Sequence, residues 1–334
     1  MKREAALLLL LVLLTALLPA FCAAPQGTIA VYMKGLAGKD DQLKAAMEDI
    51  PAKWVVITED LTYDKIKDAT MLIVIFVDPF AGVTADELNA IKKWFDEGGK
   101  VLWVAGDSDY GDDSNRQEPV NKVLQAVGSV LRLEYCAVED TKSNAGKPYR
   151  VLGLSDKADD EVKFLVSGVE RALFHGPGVV VAYVNGKWVA LDKEKPENVY
   201  RVMWTTEKGK IVNHNPPDPN AYSVGDEGSF VLMAIEVMPD KKNAVIVTGD
   251  APFDHYTGMY KPEIKRPDRY GKEYPQQGAK LFVNIVNWAL AEHKGGIWEA
   301  AAAPPLAGTT LILVGVVVVV IIAVIAFLLI KRKK

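Results

Sequence analysis

Hydrophobic and polar positions alternate in three textures along the 334 residues. At each end stands a long apolar run: residues 5–14, extended by Ala16, Leu17 and Leu18, and residues 311–330. Between them, short apolar runs take turns with amphipathic stretches. Residues 27–33 and 54–58 read as strands, and 40–50 as a helix. Residues 71–77 are apolar at every position, the pattern of a parallel strand covered on both faces. Thr84-Ala85-Asp86-Glu87 is a capping box, predicting a helix over 85–97 that Gly98 and Gly99 end. A strand over 100–105, a polar loop and a helix over about 119–127 follow. Strands alternating with helices of this length predict an α/β fold: a doubly wound, mostly parallel sheet of the flavodoxin or amidotransferase type.

From about residue 136 to 240 the texture becomes β-rich. Short pieces at 179–184, 188–191 and 200–205 are divided by turn signals such as Asn185-Gly186. They predict a mainly antiparallel insertion or an extension of the sheet. Residues 230–237 and 243–248 return to buried strands. A helix over 278–292 closes the domain, with Leu281, Phe282, Ile285, Val286 and Ala289 on one face.

The terminal runs set the expected location. Lys2 and Arg3 precede the first run, and Cys22, Ala23 and Ala24 follow Pro19, the layout of a secretory signal peptide over 1–24. The run 311–330 spans about 30 Å as a helix, the thickness of a bilayer core. Lys331, Arg332, Lys333 and Lys334 follow it and place the C-terminus in the cytoplasm. Residues 300–310, with Pro304-Pro305, read as a stalk. The expected protein is a single-pass, type I cell-membrane protein: an extracytoplasmic domain over 25–299, the stalk, a span over 311–330 and a cytoplasmic tail over 331–334.

Composition narrows the function. Apolar residues make up 49% and charged residues 25%, which excludes wholesale disorder. The net charge is −4, and the basic tail and N-terminus conceal a middle carrying −9. That balance argues against nucleic acid as a partner. Cys136 is the one cysteine outside the signal segment, so a disulfide framework and a Cys-rich zinc site are excluded. The histidines His175, His214, His255 and His293 show no zinc-enzyme spacing.

Residues 69–107, ATMLIVIFVDPFAGVTADELNAIKKWFDEGGKVLWVAGD, resemble the class I glutamine amidotransferase-like superfamily. The later VNKVLQAVGSVLRLEYCAVED and the closing AVIVTGD are similar to its non-catalytic branch, found in GldG-type ABC-transport auxiliary proteins and intraflagellar-transport proteins. The resemblance covers most of residues 27–290. Catalytic members carry a nucleophilic cysteine at a sharp turn after a strand, with a histidine and a glutamate later. Here that turn is Gly106-Asp107-Ser108-Asp109, without a cysteine. The resemblance therefore implies a degenerate, non-enzymatic domain that binds a protein partner, as an accessory of a transport or cell-surface assembly.

The residues themselves offer three chemistries. Two strands end alike, in Gly106-Asp107 and Gly249-Asp250, and ligands of open α/β sheets bind outside such strand ends. Asp107 and Asp250, with His255 near, would serve a surface hydrolase as paired carboxylates; holding turn amides is the plainer role for each aspartate. Asp107, Asp109 and Asp112 make an acidic turn that would take Ca²⁺ loosely, although Gly111 is one position out of EF-hand register. No other cofactor is expected. Finally, residues 251–278 form a long loop rich in proline and aromatics. Phe253, His255 and Tyr256 there, with Asp107, Ser108, Asp109 and Asp250, are the expected ligand-binding residues, for a small molecule, glycan or partner surface.

Overall fold

The structure, a computed structural model, describes residues 27–36, 40–253, 258–260, 274–291 and 297. The expected signal peptide, stalk, span and tail lie outside these residues, as do His255 and Tyr256. Among the described residues no helix is long and apolar enough to cross a membrane.

The parallel half is built from β1 (Thr28–Lys34), β2 (Lys53–Ile57), β3 (Met71–Phe76) and β4 (Val101–Ala105). They are connected through helices α1 (Asp41–Asp49), α2 (Tyr63–Ile66) and α3 (Ala85–Asp96). Helix α4 (Gln117–Ala126) follows, then the short strands β5 (Leu131–Leu133) and β6 (Ala137–Asp140). The β-rich part contributes β7 (Arg150–Leu154), β8 (Arg171–His175), β9 (Val180–Val184), β10 (Lys187–Val189), β11 (Val199–Trp204), β12 (Gly209–Val212) and β13 (Glu227–Gly228). Strands β14 (Val231–Met238) and β15 (Asn243–Thr248) and helix α5 (Gly278–Leu290) complete the domain.

Nine strands form one sheet in the order β2-β1-β3-β4-β15-β14-β11-β7-β8. The first five are mutually parallel; β14, β11, β7 and β8 continue the sheet antiparallel. Two small sheets, β10-β9-β5 and β13-β12-β6, lie beside it. The β-rich stretch is thus both an extension of the main sheet and a source of two satellites.

Alternation explains the all-apolar strands. On β3, Ile73 and Ile75 join one core cluster with β1 residues Ile29, Val31 and Met33, with Trp103, and with Leu281, Phe282 and Ile285 of α5. Leu72 and Val74 join the opposite cluster with Ala30, Leu102, Val104, Trp94 of α3 and Leu124 of α4. Successive side chains point to opposite faces, and helices cover both, so no polar position is tolerated. Thr84 caps α3 as its sequence foretells: its hydroxyl accepts from Glu87 N–H, and the Glu87 side chain returns the bond to Thr84. The long loop's described flanks are core as well. Phe253 and Tyr260 are both buried against the ring of Phe282, at 5.4 and 5.2 Å between centroids.

Candidate functional site

Strands β4 and β15 pair in parallel, Ala105 opposite Thr248, so Asp107 and Asp250 leave the same edge of the sheet as neighbours. Strand β8 runs in the same direction and ends there at His175. The turns meet closely. Gly178 N donates to Gly249 O at 2.9 Å, and a Cβ on Gly249 would stand 2.0 Å from Gly178 O, so only glycine fits.

Both carboxylates serve this junction. Asp250 Oδ2 accepts from His175 N at 2.6 Å and its Oδ1 from Ala251 N at 2.7 Å. Asp107 Oδ1 accepts from Ser108 N at 2.7 Å, and its Oδ2 from Arg116 Nη1 at 3.1 Å. Arg116 also bonds Asp113 and donates to Phe76 O at 2.6 Å and Val77 O at 2.7 Å, tying the turn after β4 to the end of β3. The sequence brings the two aspartates to one edge, as their strand-end spacing suggests, and the structure uses them to fasten backbone.

The acidic turn does not gather its carboxylates. Asp109 is fully buried, where its Oδ2 accepts from His214 N at 2.6 Å and its main-chain oxygen from Asn215 Nδ2 at 2.6 Å. Asp112 is exposed on the 3₁₀ turn Gly111–Arg116. Among the described residues, no group of three or more His, Cys, Asp and Glu side chains is arranged to hold a metal ion. The Ca²⁺ expectation at Asp107, Asp109 and Asp112 gains no geometry here, because Arg116 and the His214 loop already occupy two of the three carboxylates.

At this edge opens a cavity of about 400 Å³. Ser108 and Tyr110 come from the turn after β4, Val138 and Glu139 from β6, Tyr149 from the entry to β7, and His175 and His214 from the ends of β8 and β12. Two edge-to-face pairs form its walls, Tyr110 with His214 at 4.9 Å and Tyr149 with His175 at 5.7 Å. Tyr110 is 66% exposed, whereas Ser108 is 2% exposed and its hydroxyl accepts from Tyr110 N at 3.1 Å. Ser108 thus stands where the resemblance places a nucleophile, and its oxygen braces its own turn. Cys136 is buried; burial first, then nearby Glu134 and Asp109, pushes its thiol well up, the opposite of an activated nucleophile.

Of the expected binding residues, Ser108 lines the cavity, Asp107 and Asp250 brace its rim, and Asp109 anchors the His214 loop. Phe253 packs inward and takes no part. Sequence reasoning did not place Tyr110, Tyr149 or His214 among the site residues, although it weighed His214 as one of four scattered histidines. Only the tertiary return of β6, β7 and β12 to the end of β4 unites them, and the lone signal was an aromatic inside the acidic run.

No family model matches the chain, and no curated protein matches it in sequence. Among solved structures, the N-terminal domain of mmIFT52 is similar in fold, with a TM-score of 0.51 and 13% identity, covering 78% of this chain and 96% of that one. A structure of PurLQS from Thermotoga maritima aligns over 79% of this chain and 99% of that one, at 14% identity and a TM-score of 0.38. The first likeness supports a shared mixed α/β architecture with a large sheet; at such identity it carries nothing about activity.

Proposed function

We propose that this chain is a membrane-anchored, extracytoplasmic binding protein whose amidotransferase-like domain is catalytically degenerate, and that the strand-end cavity receives its ligand or partner. One observation carries the reading. At the turn where a nucleophile would stand, Ser108 is buried and braces its own turn, while Asp107 and Asp250 hold backbone amides. A nucleophile needs a base within hydrogen-bond reach and a third group orienting that base. Here the Asp250 carboxylate accepts from the His175 main-chain N–H, which supports a backbone-bracing role for it.

What the cavity does offer is recognition. Two tyrosines and two imidazoles surround a volume suited to a small ligand or an inserted side chain of a partner, and amphipathic aromatics are the residues that anchor such contacts. Membrane attachment rests on the 311–330 run and its basic tail, and service in a transport or cell-surface assembly on the family resemblance. The test is a substrate screen with the purified full chain. It predicts no turnover of amides, esters or glycosides; hydrolysis abolished by Asp107→Asn would overturn it and restore the paired-carboxylate hydrolase.

A further inference from the structure

A second pocket, of about 390 Å³, opens away from the strand-end cavity and shares no residue with it. One wall is a helical stripe. Glu118, Asn121, Lys122 and Gln125 follow the three-and-four spacing that puts side chains on one face of α4. The other wall is a face of the β10-β9-β5 sheet. Trp188 lies opposite Tyr183 across the β9–β10 hairpin, and Arg132 lies opposite Val181, two residues from Tyr183. Side chains two apart share a face, so Arg132, Tyr183 and Trp188 project together. The hairpin's register is fixed by Asn185 and Gly186, with φ of +52° and +80°, the two left-handed residues that a tight hairpin turn requires.

The aromatics form a corner. Tyr183 and Tyr135 meet Trp188 edge-on, at 5.4 and 6.2 Å between centroids and 64° and 65° between planes. In each pair the edge of one ring rests against one face of the other, so neither contact takes both faces of a ring. The polar partners are held in place. Asn121 is clamped to the main chain of Leu133 at both ends of its amide, 2.9 Å each. Arg132 Nη1 donates to Ser129 O at 2.7 Å and Leu131 O at 2.6 Å, and its guanidinium lies 5.9 Å from the Tyr183 ring centroid. Glu118 and Lys122 form an exposed ion pair at 2.8 Å.

We propose that this pocket is a saccharide-binding site, taking a neutral or acidic pyranose with its C–H face against Trp188 and Tyr183 and its hydroxyls or carboxylate toward Gln125, Lys122 and Arg132. The negative face of an aromatic ring attracts the weakly positive C–H hydrogens of a sugar ring. Charged and amide groups at the rim replace the water that the hydroxyls give up. Three aromatics also make the cage that recognises quaternary ammonium groups, but Arg132 repels such a cation, Lys122 being paired with Glu118. A proline-rich helix needs a groove of successive aromatic slots, and this pocket is a single corner.

The test is calorimetric titration of the purified full chain, in a detergent without sugar groups, with chitotriose, cellotriose and tri-galacturonate in turn. At least one binds. Tyr183→Ala, at an exposed hairpin position, weakens that binding by about tenfold, and Gln125→Ala by about threefold. Trp188→Ala abolishes it, with a melting curve run in parallel because Trp188 also packs on the core. Tyr110→Ala leaves it unchanged, so this site and the strand-end cavity stand or fall separately. Failure of all three sugars to bind at millimolar concentration, binding indifferent to Tyr183→Ala and Gln125→Ala, or preferential binding of tetramethylammonium or a polyproline peptide would each overturn the proposal.

Discussion

The parallel and antiparallel halves of the nine-stranded sheet are held together differently. Strands β1, β3, β4 and β15 are buried on both faces, and helices cover them. Away from the strand-end turns, the parallel half's buried carboxylates among the described residues are two: Asp40 caps α1 by accepting from Gln42 N and Leu43 N, and Glu87 accepts from Tyr32 Oη, Lys34 Nζ, Leu61 N and Thr84 N, joining β1, α3 and the loop before α2. The antiparallel half and its satellites use many carboxylates. Asp140 holds Lys142 N, Ser143 N and Thr206; Asp159 holds Arg201; Glu134 holds Ala221 N; Glu236 holds Ser129 Oγ and Val130 N. Regular helices and strands satisfy their own amides, whereas short strands joined by irregular turns leave donors that a side chain must meet. Asp107 and Asp250, at the seam of the two halves, follow the same habit. Acidic strand ends in such a fold are therefore weak evidence of catalysis.

The sharpest way to break this comparison is Glu87→Ala, which strands the Lys34 ammonium in a nearly closed site and should cost about 3–5 kcal/mol in urea unfolding. Burial alone would raise the Glu87 carboxyl. The hydrogen bonds from Lys34, Tyr32 and the Thr84 and Leu61 amides outweigh that and hold it at about 2. A depressed carboxyl stabilises the fold above its unfolded value near 4.5 and loses that contribution as pH falls toward 2. A stability profile over this range should therefore flatten in Glu87→Gln.

Asp140→Ala should cost less, about 2–3 kcal/mol, because it leaves buried amides unmet without leaving a buried charge. Thermal unfolding measures it, and far-UV circular dichroism should keep the parallel half's signal. Glu236 sharpens the contrast from the other side. Burial raises its carboxyl, against hydrogen bonds from Ser129 and Val130 that lower it. A raised carboxyl favours the fold at low pH and costs stability as pH rises through its folded value. Glu236→Gln should remove that loss, so variant and parent should diverge in the variant's favour toward neutral pH. The smallest effect belongs to Tyr110→Ala: within about 0.5 kcal/mol in stability, as expected of an exposed side chain, yet impaired in partner binding.

The parallel half was legible because its signals are local. A continuous apolar run, a capping box and a Gly-Gly stop each act within a few residues, and β3, α3 and β4 fall within two residues of their expected ends. Asp107 and Asp250 were also legible as a pair, because parallel neighbours deliver equivalent positions to one edge. The cavity walls were not. Tyr149 and His214 reach Tyr110 through β6, β7 and β12, whose pairings no local pattern encodes. Phe253 misled for a related reason: an aromatic in a long loop looks available until α5 packs Phe282 against it.

The central claim is that the strand-end cavity is where this chain holds its partner. Photo-crosslinking tests it most directly, with p-benzoylphenylalanine replacing Tyr110 at the cavity mouth and, as a control, Val56 on the far edge strand β2. In membranes, the account predicts a discrete adduct from position 110, absent from position 56 and diminished by Tyr149→Ala. No adduct from 110, or the same adducts from both positions, would contradict it.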